Sequence, residues 1–291
     1  MKKQKYHFGI LGGDARLFFT AETLSAHGYT VTSYSVPGIA DETHPNTPYA
    51  ISQSSSRKEL IEQSDMLVAP IPFSPFCSVQ DCLRDAPADQ SLNGKLLFSG
   101  PLSGPDASAL QKAGIRICNV MEQTEFIRLN AILTAEGVLS HLLTLSQDCI
   151  HQSSVLLTGY GHCGREIAGR LKALSALVTV CDTDPAAVKA ARSDSFTVLF
   201  PKELSSRLRT FDFCINTAPA VIFDQTLLQD AKPEKTLFLD IASAPGGIDW
   251  KAAASLGIQA VHLPGLPGKT APKAAGRFYA ETILHFLSSN P

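Results

Sequence analysis

The stretch SVLLTGYGHCGREIAGRLKALSALVTVCD, residues 154–182, decides the expected fold of this chain. It begins with a short apolar run typical of a buried strand and continues through the glycine spacing G-x-G-x-x-G into a helical pattern. It ends with a second strand pattern and Asp182. Strand, glycine turn, helix and strand make a βαβ unit of about 30 residues, which is the context that a dinucleotide-binding fingerprint requires. We therefore predict a Rossmann-like domain around this stretch.

Each part of the fingerprint has its own role in holding a dinucleotide. Gly159 permits the tight turn, Gly161 lets the backbone approach a pyrophosphate, and Gly164 lets the helix pack closely on the strand. The helix N-terminus, which includes His162 and Cys163, offers free N–H groups and a partial positive charge to the phosphates. We predict that all five residues bind the cofactor.

Asp182 follows the fingerprint at about 20 residues, where an acid accepts hydrogen bonds from the ribose hydroxyls. An adenosine 2′-phosphate would meet like-charge repulsion from this carboxylate, and Arg192 lies too far along the chain to compensate for it. We therefore predict NAD as the cofactor, with NADP as the alternative.

Length and composition exclude several classes of protein. The chain has 291 residues, enough for two domains, and its 44% hydrophobic and 18% charged residues fit a globular enzyme. The net charge of −2 gives no strong field for nucleic acid or an anionic membrane. We see neither a signal peptide nor an apolar run of transmembrane length, so we expect a cytoplasmic protein. The seven cysteines and eight histidines show no ligand spacing, so we predict no metal site.

Residues 7–35 carry a weaker version of the dinucleotide pattern. The strand-like run HFGIL is followed by Gly12-Gly13, a helical pattern and a second strand run near residue 30. The turn lacks the full glycine spacing, and no acid ends the second strand. We therefore predict a Rossmann-like domain that holds substrate rather than a second nucleotide. Asp14 is expected to cap the helix.

Two further features of the first half are candidates for substrate binding. Arg16 lies in the first turn of the helix, where a cation gains nothing from the helix dipole, so we predict that it binds a carboxylate. A surface or ion-paired arginine is the alternative. Ser99 and Gly100 end a strand run, and they either line the crevice or simply make a turn. Residues 36–58 are rich in Pro, Ser and Thr and are predicted to form a loop.

A helical pattern from Glu122 to Ser146 is expected to link two domains. Polar residues and a glycine lie near its middle, namely Asn130, Thr134, Glu136 and Gly137. Such residues often mark the wall of a cleft, and we predict that Thr134 and Glu136 face substrate there. A solvated face with an ordinary glycine packing contact explains them equally well.

Strand runs alternate with helical segments through the second half, which predicts a parallel, doubly wound sheet. The loops that follow these strands fall on the cofactor side of the sheet. The run Asn216, Thr217, Ala218, Pro219 is expected to pass the nicotinamide ribose. Ser243, in the next such loop, is expected to bind the cofactor as well.

The whole pattern predicts two Rossmann-like doubly wound α/β domains with parallel sheets, linked by a long helix. We assign residues 1–125 to a substrate domain, 126–150 to the linking helix and 151–269 to an NAD(P)-binding domain. Residues 270–291 are expected to form a C-terminal helix that returns to the cleft. Pro272 suits its first turn, and Lys273 and Arg277 are expected to lie at the mouth of the crevice.

Several runs along the chain resemble the family of the dipicolinate synthase A subunit. They are ILGGDAR at residues 10–16, FSG at 98–100, TAEG at 134–137, FCINTAP at 213–219, DIASAPGG at 240–247 and PGLPGKTAPKAAG at 264–276. The runs occur in order over nearly the whole chain, and the last of them is specific, whereas the glycine fingerprint alone is not.

The resemblance implies an enzyme of the lysine branch in the mother-cell cytoplasm of a spore-forming bacterium. It would oxidise dihydrodipicolinate to dipicolinate with a nicotinamide cofactor, as an oxidoreductase acting on a CH–CH or ring CH–NH donor. The partner would be the flavoprotein-like B subunit of the synthase, and we also expect a homo-oligomer.

Two positions depart from the family pattern. Ala244 stands where relatives tend to carry a basic residue, which weakens or moves a carboxylate contact. Asp182-Thr183 stands where relatives have a small residue and then an arginine, a pair suited to the phosphate of NADP. The second departure places the family's choice of cofactor in doubt for this chain.

The implied substrate is a six-membered ring with two carboxylates, and its oxidation removes a hydride and a proton. Arg16, Lys269, Lys273 and Arg277 are the candidate clamps for the carboxylates, and at most two or three of them can face one small ligand. Glu136 is the first candidate for the base, because a carboxylate in a closed cleft can have its pKa raised. His262 is the alternative, and water is a third.

Two rival functions remain on the sequence. A D-2-hydroxyacid dehydrogenase shares the two-domain plan, but such enzymes carry an arginine after the strand that ends at Asp240 and a Pro-His pair after the next strand. This chain has no arginine at the first place and His262-Leu263-Pro264 at the second. A non-catalytic NAD-binding sensor or assembly subunit is the other rival, because no nucleophile or metal cluster demands chemistry.

Overall fold

The computed structural model describes residues 6–38, 51–73, 78–85 and 92–290. The chain divides into two compact units: unit 1 is Met1–Leu129 with Ala271–Pro291, and unit 2 is Asn130–Thr270. The division falls inside the predicted linking helix, after Leu129, and the C-terminal segment belongs to unit 1. Each unit contains one parallel sheet of six strands.

The sheet of unit 1 has the order β3-β2-β1-β4-β5-β6, in which the direction of strand succession reverses between β1 and β4. Its strands are β1 (His7–Leu11), β2 (Thr30–Tyr34), β3 (Ile51–Gln53), β4 (Met66–Val68), β5 (Leu96–Ser99) and β6 (Arg116–Asn119). Its first four helices are α1 (Ala15–Ala26), α2 (Arg57–Gln63), α3 (Val79–Asp85) and α4 (Gly104–Lys112). A long helix, α5 (Thr124–Leu145), follows.

The sheet of unit 2 repeats this plan with the order β12-β11-β10-β7-β8-β9. Its strands are β7 (Ser154–Thr158), β8 (Leu177–Cys181), β9 (Thr197–Leu199), β10 (Phe213–Asn216), β11 (Leu237–Asp240) and β12 (Ala260–His262). Its helices are α6 (His162–Ala173), α7 (Pro185–Ser193), α8 (Leu204–Arg207), α9 (Gln225–Leu228), α10 (Trp250–Ser255) and α11 (Leu266–Thr270). The last helix of the chain, α12 (Pro272–Ser289), lies in unit 1.

Alternation along the strands places one core layer on each face of each sheet. In β1, Phe8 and Ile10 join the layer that includes α1 and α12, whereas Leu11 joins the layer with Leu60 and Ile61 of α2. Because both faces are covered by helices, the strands are apolar nearly throughout, as parallel sheets require. The predicted doubly wound α/β fold with parallel sheets is confirmed for both units.

Helix α12 is fixed to the carboxyl ends of the unit 1 strands. The Tyr279 hydroxyl lies within hydrogen-bond distance of the Ala69 carbonyl (2.9 Å) and the Phe98 carbonyl (3.0 Å). Burial is the main reason that the pKa of Tyr279 is raised. Gly276 packs directly on α1, where a Cβ would overlap the Arg16 carbonyl oxygen. The close approach explains why a glycine stands in this helix.

One local prediction was wrong. Residues 36–58 are not all loop, because β3 pairs with β2 and α2 begins at Arg57; residues 39–50 lie outside the described part. Elsewhere, residues 266–270 form α11, and residues 201–210 are helical throughout, as a four-residue α-helix between two 3₁₀ turns. These elements are too short to show a periodicity, and their tertiary contacts stabilise them.

Among the described residues, α5 is the one helix long and apolar enough to span a membrane by length and composition. This differs from the sequence prediction that no run reaches that length. Its residues Ala135, Val138 and Leu142 belong to the core of unit 2, where each is completely buried. The helix therefore has the packing of a core helix.

Candidate dinucleotide site and its surroundings

The three fingerprint glycines of unit 2 occupy different environments. Gly159 has φ of 91°, and a Cβ there would overlap the Thr217 hydroxyl; a Cβ on Gly164 would overlap the Gly159 carbonyl oxygen. By contrast, Gly161 has φ of −76°, which any residue adopts, and apart from its chain neighbours and the α6 backbone no described atom lies within 4 Å of the position that a Cβ would take. Two glycines are required by the protein itself, whereas the third keeps a space open that a pyrophosphate fits.

Asp182 lies beside the glycine turn. Its carboxylate accepts hydrogen bonds from the backbone N–H of Tyr160 (2.7 Å) and of Asp184 (2.9 Å). Both bonds orient the half-buried carboxylate at the end of β8. This position matches that of the acid that binds the adenosine ribose in dinucleotide-binding domains.

A cavity of about 450 Å³ adjoins the turn and Asp182. Its walls combine the end of β8 with apolar residues of the loops that follow β9 and β10. The lining residues are Gly159, Cys181, Asp182, Thr183, Pro201, Leu204, Ser205, Ala218, Val221, Ile222, Asp224, Thr226 and Leu227. An apolar slot beside a ribose-binding acid suits a planar base such as adenine.

Tyr160 anchors the glycine turn, and sequence reasoning did not identify it. Its ring is 2% exposed and packs on Phe196 with ring centroids 5.8 Å apart. Its hydroxyl bonds the Asp194 carboxylate at 2.8 Å, so burial, and then this bond, raise the pKa of the phenol. Because Asp194 lies 34 residues away, no local pattern could have indicated the pairing.

The cysteines near the turn are protonated thiols at neutral pH. Burial raises the pKa of Cys163, although the hydroxyl of Thr134 beside it acts in the opposite direction. Burial also raises the pKa of Cys181, to about 11. Cys163 and His162 occupy the first turn of α6, so the N–H groups of this turn point toward the open side of Gly161.

A buried polar network follows the carboxyl ends of β7, β10 and β11. The Asn216 amide accepts from the Thr158 hydroxyl (2.7 Å) and donates to Asp240 (2.8 Å) and to the Ala218 carbonyl (2.9 Å). Thr158, Asn216 and Asp240 are all completely buried. Asn216 thus shapes the loop, and in this arrangement its side chain bonds protein groups rather than solvent.

The remaining predicted cofactor residues lie in the loops of this edge. The Thr217 hydroxyl lies within hydrogen-bond distance of the Thr158 carbonyl (3.1 Å) and the Gly159 carbonyl (3.2 Å), which ties the loop after β10 to the glycine turn. Ala218 is half-buried, and Pro219 and Ser243 are exposed. These residues remain predictions as cofactor contacts.

His262 ends β12 and is exposed. One ring nitrogen lies 3.2 Å from the Ala242 carbonyl, and the ring lies beside Trp250 with centroids 5.6 Å apart. The imidazole is thus oriented at the same sheet edge as the Asp240 network.

On α5, the predicted polar residues have different surroundings. Thr134 is buried and donates to the Asn130 carbonyl, whereas Glu136 is exposed. The burial that was invoked to tune Glu136 is therefore absent from this structure. Gly137 is a packing glycine, because a Cβ there would lie 3.0 Å from Leu266 and 3.1 Å from the Thr270 hydroxyl.

The corresponding crevice of unit 1 is filled by Arg16. Its side chain is 8% exposed and makes a two-pronged ion pair with Asp14, with Nη2 2.7 Å from the carboxylate. The same nitrogen donates to the Ile71 carbonyl in the loop after β4. Asp14 also caps α1, as predicted. The ion-paired alternative for Arg16 is therefore what the structure shows, and its role toward a carboxylate ligand remains a prediction.

Each of the other candidate substrate residues is described by its surroundings within its own unit. The Ser99 hydroxyl is completely buried and bonds the Gly100 carbonyl, and Gly100 packs on Ile71. Lys269 and Lys273 are exposed. Arg277 lies 3.6 Å from Glu281 in an exposed ion pair.

The fold and the site of unit 2 indicate the class of protein to which the chain belongs. Unit 2 has the strand order and the open glycine turn of dinucleotide-binding Rossmann domains, with an acid at the position that binds ribose in such domains, and the residues present fit a dinucleotide. Unit 1 has the same strand order without these features.

Comparison with known proteins gives the family. Residues 7–121 match the family model for the N-terminal domain of the dipicolinate synthase A subunit. The chain is 31% identical over 235 residues to the dipicolinate synthase A subunit of Bacillus subtilis, covering 78% of this chain and 79% of that protein. The chain belongs to the family of the dipicolinate synthase A subunit.

Solved structures agree with this placement. The crystal structure of the dipicolinate synthase A subunit from Bacillus halodurans has a TM-score of 0.82 and 24% identity, with 98% of each chain covered. A transhydrogenase from Sinorhizobium meliloti has a TM-score of 0.70 at 15% identity, with 97% of this chain and 94% of that chain covered. These two likenesses concern the fold alone.

Proposed function

We propose that this protein oxidises dihydrodipicolinate to dipicolinate with NAD as the hydride acceptor. Family membership supports the reaction, and the observation that carries the cofactor is the glycine turn of unit 2. Gly161 keeps a space that the fold does not need, next to the α6 N-terminus and the oriented carboxylate of Asp182. A bound nicotinamide would supply the hydride acceptor, and this chain's residues would hold and orient it.

The preference for NAD over NADP follows from Asp182. Its two backbone hydrogen bonds fix the carboxylate at the ribose position, and no arginine replaces Thr183 beside it. A 2′-phosphate placed there would face a fixed negative charge, whereas two ribose hydroxyls would find an acceptor. We therefore propose that the chain departs from an NADP preference.

The substrate is proposed to be a small dicarboxylate. Arg16 is the leading carboxylate ligand, since its guanidinium is held in place at the crevice of unit 1 by Asp14 and Ile71. A substrate carboxylate would share the guanidinium with Asp14, which is 30% exposed at its side chain. Lys273, an exposed cation of the same unit, would provide the second contact.

Glu136 is proposed to accept the proton that the substrate loses on oxidation. We expect Glu136→Gln to lower kcat by more than about tenfold while leaving the NADH dissociation constant within about twofold, the pattern of a lost transition-state group. His262→Gln, measured in the same assay, is the matched comparison. A smaller loss in Glu136→Gln moves the role to His262 or to water.

The decisive experiment is the formation of NADH from freshly prepared dihydrodipicolinate. Purified wild-type protein should reduce NAD faster than NADP, and a Gly161→Leu variant should fail with both.

The assay is run with and without the proposed partner, the flavoprotein-like B subunit of the synthase, and at several protein concentrations to detect a homo-oligomer. We propose the mother-cell cytoplasm of a spore-forming bacterium as the place of action.

Two outcomes would redirect the proposal. Tight binding of NADH without turnover, even in the presence of the proposed partner, would favour a non-catalytic NAD-binding protein. Oxidation of a small 2-hydroxy acid but not of dihydrodipicolinate would favour a hydroxyacid dehydrogenase. Failure to bind either NAD or NADP would remove the proposed function altogether.

A further inference from the structure

Asp240 is an unusual buried carboxylate. It ends β11, is completely buried, and forms no ion pair with a lysine, arginine or histidine of the described chain. Removing a carboxylate from water is costly unless its oxygens are hydrogen-bonded. Asp240 meets this requirement with three N–H donors rather than a cation.

Two of the donors come from opposite sides of one loop. Oδ1 accepts from the Asn216 amide (2.8 Å) and from the Ala242 N–H (3.1 Å), and Oδ2 accepts from the Gly247 N–H (2.7 Å). Ala242 lies near the start of the loop that follows β11, and Gly247 lies near its end. One side chain therefore holds the two sides of the loop together.

The glycines of this loop are fitted to the carboxylate. Gly246 has φ of 80°, and a Cβ there would lie 2.7 Å from Asp240 Oδ2. A Cβ on Gly247 would overlap the Asn216 amide. Both glycines of the loop therefore pack directly on the Asp240–Asn216 network.

The position of this loop relates it to the cofactor. The cavity of about 450 Å³ that suits an adenine lies beside Gly159 and Asp182. It is on the β8 side of the reversal point, the place between β7 and β10 where the strand order reverses. A dinucleotide that lies across the reversal point extends its other half toward β10 and β11. The loop held by Asp240 is then the protein surface that borders the nicotinamide half.

We propose that Asp240 is a positioning residue that holds the loop between Ala242 and Gly247 against the nicotinamide half of the cofactor. This inference rests on the proposed cofactor site. A change at Asp240 is then expected to weaken the binding of NADH, and to leave unchanged the binding of a ligand that has only the adenosine half. A residue that only stabilised the fold would change both affinities equally, or neither.

The test is a pair of titrations, with NADH and with ADP, which lacks the nicotinamide half. Asp240→Asn keeps the size of the side chain but turns an amide toward N–H donors. We expect its NADH dissociation constant to rise about tenfold, the equivalent of one lost hydrogen bond to a charged group, and its ADP constant to stay within about twofold. Gly246→Ala, which presses on the carboxylate from the loop, should act in the same direction and serves if Asp240→Asn does not fold.

Asp249→Ala is the matched control. Asp249 caps α10 through the N–H groups of Lys251 and Ala252, so its loss destabilises unit 2 without releasing Asp240. It should lower the melting temperature and leave the NADH-to-ADP affinity ratio unchanged. Equal losses for NADH and ADP in Asp240→Asn and Gly246→Ala, or unchanged affinities for both, would overturn the inference. If wild-type protein binds ADP but not NADH, the proposed function fails instead.

Discussion

In both units the order of six parallel strands reverses beside the first strand, and in both a glycine turn follows that strand. The space after the turn differs. In unit 1, the N-cap of α1 is Asp14, which stands where unit 2 has Gly161 at the N-cap of α6, and a Cβ on the preceding Gly13 (φ of 119°) would lie 2.9 Å from Leu17 and 3.1 Å from Pro70. In unit 2, apart from the chain neighbours of Gly161 and the α6 backbone, no described atom approaches its Cβ position within 4 Å.

The charged side chains at the two glycine turns also differ between the units. Unit 1 fills its crevice with the Arg16–Asp14 ion pair, which is bonded onward to Ile71. Unit 2 places a carboxylate, Asp182, at the ribose position and leaves the α6 N-terminus open. The comparison teaches that a shared topology defines where a ligand can bind, whereas side chains decide whether the place is filled by the protein or left for a cofactor.

The largest expected effect is at Gly161. Gly161→Leu should weaken NADH binding on the order of 100-fold, because the side chain enters the space proposed for the pyrophosphate. The melting temperature should change little, since the backbone there is unstrained. Isothermal titration and thermal unfolding measure the two quantities.

Gly169→Leu is the matched control, because its Cβ position in α6 is equally open. This variant should fold and bind NADH normally. If Gly161→Leu also binds NADH as the wild type does, the contrast between the two crevices has no functional meaning.

The next effect concerns the choice of cofactor. Asp182→Ala combined with Thr183→Arg should shift the ratio of NADPH to NADH affinity about 30-fold toward NADPH. The double change removes a fixed negative charge and adds an arginine that binds the 2′-phosphate. Fluorescence titration with both cofactors checks this. Equal or tighter NADPH binding by the wild type would show that Asp182 does not select against the 2′-phosphate.

Arg16 tests the crevice of unit 1. Arg16→Ala should raise the substrate KM about tenfold through the loss of a charge-assisted contact, with the NADH dissociation constant within about twofold of the wild type. Steady-state kinetics and a cofactor titration separate the two effects. An unchanged KM would mean that Arg16 serves only its ion pair with Asp14 and its bond to Ile71.

The smallest effect is on stability. Gly13→Ala should destabilise the protein by about 1–3 kcal/mol, because alanine is strained at this φ and its Cβ meets Leu17. NADH affinity at temperatures where the variant is folded should be unchanged. Denaturant unfolding followed by titration distinguishes this outcome from a second nucleotide site in unit 1, for which NADH affinity would also fall.

Much of the fold was predictable from local patterns. Strand β1 begins and ends as predicted, Asp14 caps α1, and the dinucleotide stretch forms β7, α6 and β8 within one or two residues of the prediction. These features depend on neighbours in sequence. The three-residue strand β3 was missed because its stability comes from pairing with β2.

The candidate site was predictable only in part. The glycine spacing and Asp182 predict the cofactor edge, because the turn after β7 and the acid after β8 are both visible in a short stretch of sequence. Tyr160 and Asp194, which fix the turn, were not identified, since neither residue type is distinctive in its local context. Asp240 was visible as a polar residue at a strand end, but its burial and its three donors were not.

The sequence by itself determined that two βα repeats fold into parallel sheets and that the second carries a dinucleotide turn, because strand alternation, helix periodicity and glycine spacing act over a few residues. Only the tertiary structure decided that Arg16 reaches Ile71, 55 residues away, and that Asn216 meets Asp240, 24 residues away. Such bonds form between buried groups that must find partners inside the protein once water is excluded. Which partner each group finds depends on the assembled sheet.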